Sequence, residues 1–130
     1  MENNNNLTRV DELIKHFWKN GYLTVKRKYG NYLPAPEQIG TYEIEAIGKK
    51  INNYAIGITL TNDDIKESNL IKKLEFLASR HTKYTHKNVL LFVAVPQNLF
   101  SKVKKLIVSI DPAIRKNIRL VSIQDKKHIN

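Results

Sequence analysis

The 130-residue chain contains no cysteine, which excludes disulfides, thiolate metal sites and a cysteine nucleophile. That absence fits a reducing compartment, and the expected localisation is cytoplasmic. Long apolar runs are missing as well. The longest, Val89 to Val95, is too short to span a bilayer. Glu2 and an asparagine run stand where a secretory leader would carry a basic and then apolar start. No membrane contact is therefore expected. The five glycines are scattered and form neither GxxxxGK nor GxGxxG, which removes the usual phosphate-cradling loops. There is no nucleophile elbow and no plausible serine triad. His16, His81, His86 and His128 include no pair one helical turn apart and no carboxylate at metal-site spacing, so they read as surface histidines. Most of the usual enzyme routes are closed.

What is present describes one ordinary globular domain, with 42% hydrophobic and 26% charged residues. The net charge of +10 is unevenly spread. Residues 1–65 balance eight cations with eight anions, while residues 66–130 set fourteen against four and carry the whole surplus. Such asymmetry points to a polyanionic partner, nucleic acid above all. A merely solubilising lysine-rich surface is the alternative.

Residues 1–7 are expected to be a disordered lead-in, 8–123 the domain, and 124–130 a polar tail. Thr8 and Asp11 resemble a capping box, and Val10, Leu13, Ile14, Phe17 and Trp18 recur at helical spacing up to Gly21. This places Phe17 and Trp18 in the core, base stacking being the alternative for exposed rings. Strands are predicted over 22–29, 40–49 and 54–61, the last uncharged and hence covered on both faces. A long helix capped at Asn62 or Asp63 follows to about His81, with Leu70, Ile71, Leu74, Leu77 and Ala78 as its buried stripe. Then come a strand at 89–95, a helix from Leu99 to Ile107, a short turn opened by Asp111-Pro112, and a strand at 118–123. The fold class is α/β: a single domain with a central mixed sheet flanked by helices, in the order α-β-β-β-α-β-α-β. Parallel crossovers are expected in its second half.

The stretch Gly40-Thr-Tyr-Glu43-Ile-Glu45-Ala-Ile-Gly-Lys-Lys50, with its return Tyr54-Ala-Ile-Gly-Ile-Thr-Leu60, carries the chemical interest. On a regular strand Glu43 and Glu45 share one face, Ile44 and Ala46 the other. Two carboxylates so placed are a candidate divalent-cation site, and a solvated strand face is the plainer reading.

An opening helix bearing Glu12, an acidic first arm, an apolar second arm and then helix, strand, helix and strand resembles the PD-(D/E)XK nuclease superfamily. That is the restriction-endonuclease-like fold, shared with archaeal Holliday-junction resolvases. The resemblance covers about residues 8–123 and implies that Glu45 takes the first-arm carboxylate position. It also implies an acid and a lysine two residues apart on the second arm, where this chain has Gly57 and Thr59. Relocated roles would fall to Glu67 or Glu75 on the long helix and to Lys49 or Lys50 on the first arm.

The expected function is nucleic-acid binding by a catalytically degenerate nuclease fold, as a non-catalytic part of a DNA-processing assembly. Its partner would be double-stranded DNA or another nucleic acid, with a homodimer or larger complex as the assembly. No cofactor is expected. The alternatives are a Mg²⁺-dependent endonuclease, using Glu45, Glu12 and Lys49 with Glu45 and Glu43 on the metal, and a protein-interaction module. Lys26, Arg27, Lys28, Lys49, Lys50, Lys72, Lys73, Arg80, Lys83 and Lys87 are the expected nucleic-acid contacts, lining one groove.

Overall fold

A computed structural model describes residues 2–82 and 87–124, so the expectations for Lys83, His86 and most of the 124–130 tail lie outside the described residues. Helix α1 (Glu2–Lys19) is followed by strands β1 (Leu23–Arg27), β2 (Ala46–Lys50) and β3 (Asn53–Thr59). Helices α2 (Asn62–Lys66) and α3 (Leu70–Ala78) lead to β4 (Leu90–Pro96). Then α4 (Gln97–Leu106), a single 3₁₀ turn (Ile107–Ser109) and α5 (Pro112–Arg115) lead to β5 (Ile118–Ile123). The five strands lie side by side in chain order. The first three form an antiparallel meander, and β4 and β5 join it in parallel. The result is a single α/β domain with a mixed sheet between helices, as the hydrophobic spacing predicts.

The two faces of the sheet differ in side-chain size. Toward α1 the strands offer Ala46, Gly48, Ala55, Gly57 and Ala94, and the helix presses Leu13 and Phe17 into that shallow surface. Phe17, Tyr22 and Phe92 close this smaller core with tilted and edge-on ring contacts, Phe17 and Phe92 lying 5.2 Å apart. The opposite face is branched and aliphatic. Ile56, Ile58, Leu91, Val93 and Val95 pack there against Ile65, Leu70, Leu74 and Leu77 from α2 and α3, and Val103 from α4. β3 feeds both cores, which is why Ala55 to Ile58 are all buried and uncharged.

Several local expectations are corrected. The first helix runs from Glu2 through the asparagine segment, so Thr8 lies inside it. A helix anchored by packed turns propagates outward at one hydrogen bond per residue added. The predicted long helix is two: α2 is capped by Thr61, and the chain leaves it at Glu67 with extended backbone before α3 begins. Ser68 and Asn69, whose side chains compete for backbone hydrogen bonds, fall at the break. Phe17 is fully buried, but Trp18 is 64% exposed. Helical spacing turned both toward the sheet in the sequence pattern, yet α1 covers the sheet with a narrower stripe.

The hairpin between β2 and β3 turns through Ile51 and Asn52, with Lys50 paired to Asn53. Ile51 holds φ at 52°, a left-handed conformation that costs a β-branched residue about 1–2 kcal/mol.

Gly57 shows how tightly α1 is seated. A Cβ at this position would stand 2.7 Å from Leu13 Cδ2 and 2.9 Å from Phe17 Cζ, both on fully buried side chains. Gly57→Ala is therefore expected to destabilise the protein by about 1–3 kcal/mol through overpacking. Urea denaturation measures this, and an unchanged midpoint would mean that α1 rides higher on the sheet than described here.

Candidate functional site around Glu45

A turn brings the acidic segment to the sheet. Ile39 and Tyr42 bridge across Gly40, which has φ at 61° and lies against the Phe76 ring so closely that a Cβ would be 2.8 Å from it. Tyr42 in turn packs on Phe76 from α3, with ring centroids 5.4 Å apart. The chain then bends at Glu45 before β2 begins, so the strand predicted over 40–49 starts only at Ala46. As a result Ile44 enters the aliphatic core and Ala46 the α1 core. The strand alternation that would place Glu43 and Glu45 on one face is broken there.

The two carboxylates meet different surroundings. Glu43 is exposed and holds an ion pair with Lys28. The hydrogen bond from Lys28, reinforced by its charge, lowers the Glu43 pKa. Burial works against the Lys28 ammonium, but the Glu43 hydrogen bond and the nearby Glu45 and Glu43 charges outweigh it and leave that pKa raised.

Glu45 is half-buried, and its N–H, its carbonyl and one carboxylate oxygen are all held. Its N–H donates to Gly57 O at 2.9 Å, and its carbonyl accepts from the Lys28 N–H at 2.9 Å. Its Oε1 accepts from the Thr59 N–H at 2.8 Å. The side chain thus stands in for a backbone acceptor where the β2 ladder has ended. Burial raises its pKa, the Asp64 charge adds to that, and the Thr59 N–H with the Lys73 and Lys28 charges pull the other way without prevailing.

Asp64 is brought near because α2 starts just after β3. Its Oδ2 accepts from the Thr61 N–H at 2.8 Å and from the Thr61 hydroxyl at 3.1 Å, completing a capping box. Lys73 comes from α3. Glu45, Asp64, Lys73, Lys28 and Glu43 therefore form one charged cluster at the end of the sheet where β2 begins and β3 ends. Sequence spacing missed Asp64, whose place depends on α2 being capped at Thr61 directly after β3, and assigned Lys73 only a phosphate contact, because its place depends on the break after α2.

The remaining predicted residues lie elsewhere. Lys49 pairs with Tyr54 at the hairpin end, about 13 Å along the strand from Glu45 at some 3.3 Å per residue. Its ammonium sits over the Tyr54 ring at 5.7 Å. Lys50 folds back toward α1, donating to Asn20 O at 3.2 Å beside the Tyr22 ring. Neither can serve as the relocated lysine. Glu12 faces Lys15 on α1 at 3.8 Å, and the charges acting on Glu45 include neither it nor Glu67 nor Glu75.

Among the described residues the predicted phosphate contacts fall in separate places. Lys49 and Arg80 border a hollow with Ile47 and Val89, Arg27 is tied to Asp11 at 2.9 Å, and Lys28 and Lys73 belong to the Glu45 cluster. Lys72 and Lys87 are exposed and Lys26 is half-buried.

The second-arm position is filled rather than vacant, since Gly57 lies under Leu13 and Phe17. Among the described residues no group of three or more His, Asp or Glu side chains is arranged to hold a metal ion.

The raised pKa of Glu45 has a definite consequence for stability. The native state keeps a proton that the unfolded state releases at the ordinary value of 4.5. The associated stability is fully present below that pH and is lost as pH rises through the higher native value. Glu45→Gln keeps the acceptor for the Thr59 N–H and removes the titration. It is expected to flatten the fall in denaturation midpoint above pH 4.5 and to be the more stable form at neutral pH, as urea melts across pH show. A wild-type midpoint that rises over the same range would contradict the raised native pKa of Glu45. Comparison with known proteins finds no matching family model, no matching curated protein and no matching solved structure.

Proposed function

We propose that this chain binds double-stranded DNA through its cationic surface and does not cleave it efficiently, as a nuclease-like domain of the PD-(D/E)XK type that has lost its metal site. The observation that carries the reading is unneutralised charge. The net charge is +10, and among the described residues ion pairs engage only Lys15, Arg27 and Lys28. Exposed lysines of this kind gain from a polyanion by releasing its counterions, with no requirement for base sequence.

The loss of cleavage rests on the Glu45 cluster. Mg²⁺ keeps its waters unless several hard ligands converge. Here Glu45 is committed to the Thr59 N–H, Asp64 to the Thr61 cap, and Glu43 to Lys28. Without a metal, an attacking water keeps a pKa near that of bulk water.

A relocated nuclease site is the second reading, favoured by the nearness of Asp64 and Lys73 to Glu45. It would require the Thr59 and Thr61 N–H groups to surrender their carboxylates to the ion.

Duplex affinity should fall with salt at a log–log slope of roughly −4 to −5, corresponding to about four to six neutralised phosphates. Supercoiled plasmid should stay intact with Mg²⁺ or Mn²⁺ present. A salt-independent affinity would indicate a protein-interaction module instead. Nicking by the parent protein but not by Glu45→Ala would establish the relocated site.

A further inference from the structure

Trp18 and Tyr32 are 64% and 96% exposed, and they border a single groove of about 440 Å³ between the outer side of α1 and the loop after β1. Ile14, Leu23, Arg27 and Leu33 complete its walls. Leu23 is 71% exposed, so apolar surface lies open along this edge of the sheet. A contiguous patch of this kind marks a binding surface, whereas isolated exposed apolar residues need no explanation. The volume is within the roughly 300–1,000 Å³ typical of small-ligand sites.

The surroundings discriminate among occupants. Strand addition by a second copy needs a free, regular edge on β1. Instead the following loop crosses that edge, the Arg27 N–H donating to Pro34 O at 2.9 Å, and the strand register shifts between Thr24 and Lys26. The groove has cations beside it. Arg27 lines it while paired with Asp11 at 2.9 Å, Lys19 follows Trp18 in α1, and Lys15, one helical turn earlier, is paired with Glu12 at 3.8 Å. Aromatic faces flanked by cations are the arrangement that holds unpaired bases: the ring takes the base while the cations follow the backbone.

We propose that the groove between Trp18 and Tyr32 is a stacking site for an unpaired base of single-stranded DNA. The inference rests on the DNA-binding reading and adds to it a contact that duplex DNA, with its bases paired inward, cannot make. Trp18 is the chain's one tryptophan, so its emission reports the contact directly.

The experiment titrates the full chain with oligothymidylate and with an abasic strand of equal length. Oligothymidylate is expected to quench Trp18 emission saturably and to bind at least about tenfold tighter than the abasic strand. Anisotropy of a labelled strand should show Trp18→Ala losing that advantage, Trp18→Phe keeping most of it, and both retaining duplex affinity. Trp18 is exposed, and a thermal melt verifies that the variants fold. Equal affinity for both strands without quenching would overturn the stacking site and leave duplex binding standing. Failure to bind either strand or the duplex would overturn both. A protein-concentration-dependent blue shift without DNA would assign the groove to a second copy, and tighter quenching by oligouridylate would overturn the choice of DNA.

Discussion

The seating of α1 on the small-residue face of the sheet is the constraint from which the rest follows. Leu13 and Phe17 can reach the backbone of β2 and β3 only because Gly48 and Gly57 carry no side chains there. That close approach lets a short helix stripe bury its apolar surface completely and brings Phe17 against Phe92. It also decides the chemistry of the second arm. At Gly57 any side chain would have to displace two packed residues. A charge there would meet an apolar core with nothing to pair it.

Glu45 then becomes a structural group. Its carboxylate accepts a hydrogen bond from the end of β3 and is desolvated by what surrounds it. This half-buried carboxyl has one good donor and two cations acting on it. Lys73 and Lys28 favour the charge, burial opposes it, and burial prevails. A metal would shift that balance decisively only by drawing in a second carboxylate. Asp64, the nearby candidate, closes its own helix cap.

Much of the fold was legible because its signals are periodic. The uncharged run Tyr54 to Leu60 marked a doubly covered strand, and Asp111-Pro112 marked a helix start, as found in α5. The candidate site was legible in Glu45 and Glu43, but not in how its members come together. Spacing assigned Glu43 as its neighbour on a strand, but the bend at Glu45 is set by the Gly40 turn packing on Phe76, a contact between residues far apart in sequence. Lys73 was hidden for a related reason, since the break at Glu67 sets where α3 projects, and Asp64 because the cap at Thr61 sets where α2 begins. Trp18 failed in the opposite sense. Its spacing satisfied the apolar stripe, yet the narrow face of α1 is exhausted by Val10, Leu13, Ile14 and Phe17, which leaves the fifth member outside.

That leftover ring changes how the positive charge is to be understood. Lysines spread over separate parts of a surface attract any phosphate backbone and discriminate little, because their interaction is long-ranged and lacks direction. Stacking is short-ranged, and a base must be unpaired to enter. Under the proposed function, a cationic surface combined with one aromatic groove would separate attraction from selection: phosphates would set how much DNA is held, and the groove which part of it is retained. The arrangement needs no metal and no vacant second arm. It is accordingly compatible with the close packing of α1 that fills the Gly57 position, since Leu13 and Phe17 face the sheet while Trp18 faces outward from the same helix.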